Sequence, residues 1–250
     1  MATMEYSFVK DRVEAIRDRI GAAAGRSGRG ISDVELLAVT KSHPVEAAVA
    51  AWDAGLTSFG ESRVAEAQEK YAAFLAERPG ARLDMIGHIQ SNKAKKAVST
   101  FSRLQSVDSV ELILELERRA RAADARLEVL LELHTGEESK EGFAGADELY
   151  RALELLLSID DRRLEPRGLM TIAPAFGPAG SGGAGESAVR ASFRALRAAL
   201  EGARARFGTR PGAECLDVLS MGMSGDFEIA VEEGSNLVRI GTALFGSRTT

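Results

Sequence analysis

The sequence predicts an α/β fold, a single (β/α)8 TIM-type barrel with an additional N-terminal helix. Three observations predict it. Short runs rich in Val, Leu and Ile alternate eight times with amphipathic segments of helix length, the pattern of a parallel sheet with crossover helices. The runs 34–39 and 129–133 carry apolar residues in succession, each with a single glutamate, rather than in strict alternation, as in strands covered on both faces. The length of 250 residues is close to the roughly 250 typical of a closed eight-stranded barrel. An open, doubly wound sheet is the alternative, but closure accounts for eight such strands more simply.

The elements follow in order. Phe8, Val9, Val13, Ile16 and Ile20 recur at helical spacing and predict a helix over 6–24, ended by the Gly-rich stretch 25–30. Strands are expected at 34–41, 58–61, 82–88, 103–108, 127–135, 166–173, 215–222 and 237–245. Helical patterns lie between them at 44–54, 63–76, 91–98, 110–123, 146–158, 186–206 and 226–233. Nothing reads as a linker, so 1–250 is taken as one domain. The Gly-rich stretch 174–187 is read as a flexible loop after the sixth strand.

Composition excludes some functions. The formal net charge is −5, which gives no support for a nucleic-acid partner. The arginines of 192–206 share a helix with Leu196 and Leu200, as on a solvated amphipathic face. No apolar stretch approaches the ~20 residues that span a bilayer, and the first residues lack the pattern of a secretory signal. Cys215, the single cysteine, has no internal disulfide partner. A cytoplasmic location is therefore expected, and with no second domain in view, a monomer.

Active sites of (β/α)8 barrels lie at the C-terminal ends of the strands, so polar residues that end the apolar runs are the candidates. Lys41 ends the first run. Partial burial there would favour the neutral amine needed for a Schiff base; on that run alone, a lysine that simply extends into water is the commoner case. The seventh and eighth runs end in Ser220-Met221-Gly222-Met223-Ser224-Gly225 and Arg239-Ile240-Gly241-Thr242. Loops after strands seven and eight are the usual phosphate site of this fold, and their glycines let backbone amides approach an anion. Ser224 precedes a helix whose first amides would face the phosphate; Asp226 and Glu228 would repel it unless they point away. Two ordinary βα turns with a serine cap remain the alternative. Arg239 lies in an apolar strand, where a guanidinium is costly unless paired. It either donates to a cofactor ring nitrogen or makes a structural ion pair. His43, His88 and His134 match no metal-ligand spacing, and no metal is expected.

Several strings together resemble the pyridoxal phosphate homeostasis proteins. They are Leu37-Ala38-Val39-Thr40-Lys41, Phe59-Gly60-Glu61, the stretch from Ile86 to Lys93, Ser106-Val107-Asp108-Ser109, Gly136 to Lys140, Gly168-Leu169-Met170, Leu219 to Ser224, and Val238 to Ala243. They occur in the family's order over nearly the whole chain. The resemblance implies a pyridoxal 5′-phosphate barrel like the N-terminal domain of alanine racemase. It implies a Schiff base on Lys41, a phosphate held by Ser220, Met221, Gly222, Met223, Ser224, Gly241 and Thr242, and Arg239 facing the pyridine nitrogen. Ser62 stands where the family usually has an asparagine near the cofactor ring. Asp84 stands two residues before the Ile-Gly pair, where the family usually has histidine, and Gln105 where it often has another.

Two functions follow from the resemblance: a binding protein that buffers or delivers the cofactor in vitamin B6 homeostasis, with pyridoxal phosphate-dependent apo-enzymes as recipients, or a racemase-like enzyme. A two-base racemase needs a second proton-transfer group across the cofactor, supplied in alanine racemases by a tyrosine of a further domain. Tyr6, Tyr71 and Tyr150 all fall in predicted helices, so little or no racemisation is expected. A cofactor-free lysine barrel of the aldolase type is a third reading.

Overall fold

A computed structural model describes residues 6–136, 141–177 and 183–246. The strands are β1 (Glu35–Val39), β2 (Ser58–Glu61), β3 (Arg82–Met85), β4 (Arg103–Val107), β5 (Leu127–Glu132), β6 (Leu164–Met170), β7 (Val218–Ser220) and β8 (Leu237–Ile240). They pair in parallel in sequence order, and β8 returns to β1 to close the barrel. The helices are α1 (Val9–Arg26), α2 (Val45–Asp53), α3 (Val64–Glu77), α4 (Ala94–Val98), α5 (Val110–Ala122), α6 (Ala146–Leu157), α7 (Glu186–Phe207), α8 (Phe227–Glu232) and α9 (Thr242–Phe245). The predicted fold class, including the extra N-terminal helix, is the observed one.

The main core lies between the barrel and its helices. On β1, Leu36 and Ala38 join it, while Leu37 and Val39 turn inward with Leu237, the period-two alternation of a strand. Gly60 makes room inside: a Cβ there would sit 2.5 Å from Leu37 Cδ2. Helix α1 buries Val9, Val13, Ile16 and Ile20 and packs on α8, α2 and α9.

The element boundaries differ from expectation where chemistry intervenes. The eighth strand stops at Ile240, and 242–245 is a helical turn. Gly241 reverses the chain, and its carbonyl accepts the amides of Leu244 and Phe245, both at 2.9 Å. The seventh strand spans only Val218–Ser220, and exposed Cys215 lies outside it. The sixth begins at Leu164, with a register shift opposite Val129 and Leu130 at Pro166–Gly168, because proline cannot donate to the ladder. Of the stretch 174–187, the flanks are tied by a Phe176–Ala184 bridge, the last residues open α7, and 178–182 lies outside the described residues. Among the described residues no helix is long and apolar enough to cross a membrane.

Candidate functional site

Lys41 does not end the strand itself but follows it by two residues, in a turn held from below. Lys70 Nζ, on α3, donates to the carbonyls of Thr40 at 2.8 Å and His43 at 2.7 Å, one on each side of the turn. The same ammonium pairs with Glu61 at 2.6 Å, and Glu61 also accepts from Thr40 Oγ1 at 2.6 Å. Ser42 takes the left-handed backbone region, φ 62°, a conformation uncommon outside glycine, and its amide donates to Glu66 at 2.8 Å. Burial raises the pKa of Glu61 against the opposing pull of Lys70. The lysine turn is thus anchored by a buried salt-bridged network, not by the strand ladder.

A cavity of about 290 Å³ lies above this turn, near the lower end of the roughly 300–1,000 Å³ of small-molecule sites. Its walls bring together Lys41, Arg239, Met223, Ser224, Gly225, Gly241 and Thr242. The loops after β7 and β8 are also joined directly, the Ala243 amide donating to Ser224 Oγ at 3.2 Å. The two acidic residues that threatened an anion there are otherwise engaged. Glu228 points outward to Arg19 at 2.6 Å, and buried Asp226 accepts the Met223 amide at 2.6 Å.

Four predicted contacts stand behind the wall instead of on it. Met221 is fully buried. Gly222 has φ 96°, and a Cβ there would lie 2.6 Å from Ala230 Cβ, so this glycine is required by packing against α8. Ser62 packs against Gly87, where a Cβ would fall 2.8 Å from the serine's own. Ser220 is fully buried and serves Arg239.

Of the two sequence alternatives for Arg239, the structural ion pair is not what holds it. Among the described residues no carboxylate lies within ion-pairing distance of it. Its Nη1 donates to Ser220 O at 2.9 Å and Ser220 Oγ at 2.5 Å, and its Nη2 to Thr171 O at 2.9 Å. Burial lowers its pKa to about 10, opposed by the charges of Glu132 and Asp226, so it stays a cation at neutral pH. Ser220 Oγ in turn donates to Gln105 Oε1 at 2.6 Å, and Gln105 Nε2 to Asp84 Oδ2 at 2.5 Å. Arg103 closes the chain on Asp84 at 2.7 Å. A polar relay thus runs through the barrel from Arg103 to Arg239.

Sequence reasoning missed Glu132 at the end of β5. It is 2% exposed, and its Oε2 has no hydrogen-bond partner among the described residues. Burial raises its pKa to about 7, partly offset by Arg239 and reinforced by Glu141 and Asp108. The rule that singled out Arg239, a charge inside an apolar run, would have found it. The relay through Gln105 and Asp84 and the Lys70 clamp gave no comparable signal. Positions 137–140, part of the quoted motifs, lie outside the described residues. The three histidines separate: His43 lines the cavity, His88 meets Asp108 at the mouth, and His134 lies in a groove beside α6 and α7.

The cavity suits pyridoxal phosphate chemically. It offers one amine, one guanidinium, and a cradle of two joined glycine-containing turns with serine and threonine hydroxyls.

Residues 12–249 match the family described as alanine racemase, N-terminal domain. The pyridoxal phosphate homeostasis protein of Vibrio alginolyticus is 36% identical over 245 residues, covering 97% of this chain and 98% of the relative. The crystal structure of an unknown protein from Bifidobacterium adolescentis gives a TM-score of 0.85 at 34% identity, covering 98% and 97% of the two chains. The structure of PipY from Synechococcus elongatus PCC7942 with PLP bound gives 0.78 at 32% identity, covering 95% and 100%. Alanine racemase of Clostridium difficile 630, at 14% identity and a TM-score of 0.68, shares the fold alone. With this coverage and identity, the chain belongs to the pyridoxal phosphate homeostasis protein family, within the alanine racemase N-terminal domain family.

Proposed function

We propose that this chain binds pyridoxal 5′-phosphate through Lys41 and acts in vitamin B6 homeostasis as a cytoplasmic carrier, buffering the cofactor or delivering it to apo-enzymes. The observation that carries this reading is the meeting of Lys41, Arg239 and the two turns after β7 and β8 in one cavity. The family relationship supports it. The whole chain works as one domain and as a monomer.

When bound, the cofactor supplies an aldehyde that condenses reversibly with a primary amine, and a pyridine ring able to accept electron density. The protein residues do the rest. Lys41 Nζ is the amine for attachment, and its turn is fixed by Lys70 and Glu66. Ser224, Thr242 and the backbone at Gly225 and Gly241 grip the phosphate. Arg239, held by Ser220 and Thr171, presents a permanent donor to the ring nitrogen. A cation there disfavours protonation of that nitrogen and weakens the ring as an electron sink, which suits storage more than turnover. None of Tyr6, Tyr71 and Tyr150 lines the cavity, so no tyrosine stands ready as a second base, and racemisation is expected to be negligible.

The test is titration of the purified protein with pyridoxal phosphate, followed by absorbance. The wild type should develop the Schiff-base band and Lys41→Ala should not, with unchanged far-UV circular dichroism. An equal band in both proteins would remove Lys41 from the account.

A further inference from the structure

Across the barrel mouth from Lys41 lies a second group of chemistry-bearing residues. In a closed ring of eight strands, β4 and β5 stand opposite β8 and β1. Just beyond β3, His88 is exposed, and its Nδ1 lies 2.9 Å from Asp108 Oδ2, just beyond β4. Ser109 Oγ donates to the other Asp108 oxygen at 3.0 Å. Glu141 Oε1 is 3.8 Å from the same His88 nitrogen. Beneath them is Glu132, buried, its Oε2 without a hydrogen-bond partner among the described residues, under the electrostatic influence of Arg239, Glu141, Asp108 and His88.

An acidic rim over a buried carboxylate with a spare acceptor is unfavourable in an empty fold and favourable around a cation. Asp108 can only accept when ionised, so the bond to His88 leaves Nδ1 as its donor. In the neutral ring the other nitrogen, Nε2, is then an acceptor. The phosphate grip occupies the β7–β8 side, so a cation on the β3–β5 side approaches the attachment amine from across the mouth.

We propose that the rim formed by Glu132, Asp108, His88 and Glu141 docks the primary ammonium group of the amine that takes the cofactor from Lys41. The inference rests on the carrier reading above and names the recipient's chemistry. His88 Nε2 takes one proton from the ammonium nitrogen, whose bonding pair stays behind as the nucleophilic lone pair. Asp108 and Glu132 offset the resulting imidazolium. As the new nitrogen–carbon bond forms, the Lys41 nitrogen–carbon bond breaks, and the incoming amine's two remaining hydrogens end on the Lys41 nitrogen. The ammonium belongs either to a free small amine or to a lysine side chain of a protein.

The experiment uses butylamine as the reactive probe, a lysine-containing peptide as the protein-like probe, and butyltrimethylammonium as an unreactive cation. Loss of the borohydride-trappable cofactor adduct from Lys41 of the loaded wild type, read by mass spectrometry, should saturate with at least one of the two amines, and which one saturates at the lower concentration assigns the source. Butyltrimethylammonium should compete. Asp108→Asn and Glu132→Gln should each raise the half-saturating concentration at least fivefold, while Glu111→Gln, on the exposed face of α5, should leave it unchanged. In the unloaded protein, butyltrimethylammonium should shift the NMR signals of the His88 ring. Rates linear in both amines with equal slopes in all variants, together with an unmoved His88 signal, would overturn the proposal. A wild type that never takes up the cofactor would defeat the carrier reading instead, and the His88 signal would still decide on the rim.

Discussion

The side-chain amide of Gln105 donates to the carboxylate of Asp84 at 2.5 Å, both fully buried inside the barrel. These are two of the positions that the resemblance marks as departures, and they touch. A carboxylate in place of an imidazole needs donors, and Gln105 supplies one while Arg103 supplies another. The glutamine's oxygen accepts from Ser220, so the exchange also reaches the residue that holds Arg239.

This pairing predicts non-additivity. Gln105→Leu leaves a buried carboxylate short of one donor and should cost about 1–3 kcal/mol in urea unfolding. Combined with Asp84→Asn in a double-mutant cycle, the coupling should be of order 0.5–3 kcal/mol. Strict additivity would show that the contact carries no energy.

Much of this molecule is legible from sequence, and the exceptions share a cause. The barrel follows from the alternation of apolar runs with amphipathic segments. Lys41, Arg239 and both terminal glycine turns follow from asking what ends those runs. The inward partners were not legible: Asp84, Gln105 and Ser220 come from different strands, and only closure of the barrel brings them into bonding distance. The eighth run was read past its end because Thr242–Phe245 is as apolar as a strand, and only Gly241 marks the reversal. Lys70 lies on the helix face with Glu66 at i,i+4, and nothing in that spacing tells that its ammonium turns inward to the Lys41 loop.

Lys70 supports a second prediction. Lys70→Met would leave Glu61 as a buried carboxylate without its cation and free the carbonyls on both sides of Lys41. Removing one partner of a buried pair costs roughly 3–5 kcal/mol, so a stability loss of that size is expected by denaturant unfolding. Cofactor uptake should also weaken, because the attachment amine loses its fixed turn. Wild-type stability in this variant would show that the clamp is ornamental.

Glu132 gives a pH dependence with a definite sign. Its pKa is raised from the ordinary 4.5 to about 7, chiefly by burial. The folded state therefore holds this proton more tightly than the unfolded one. The associated stability is fully present below the unfolded pKa and is lost as pH rises through the folded value. Glu132→Gln should flatten this decline and make the protein more stable than wild type at alkaline pH, by at most about 3 kcal/mol. Urea midpoints measured across that window check it, and parallel wild-type and variant curves would contradict the assignment. A stabilising substitution at this position would fit a side chain retained for function at a cost in stability.

The central claim is that one amine, Lys41 Nζ, carries the cofactor, and peptide mapping tests it most directly. Protein loaded with pyridoxal phosphate and reduced with borohydride should carry the phosphopyridoxyl mass on the peptide containing Lys41 and on no other. An adduct mapping to Lys93, Lys140 or any other lysine would contradict the account.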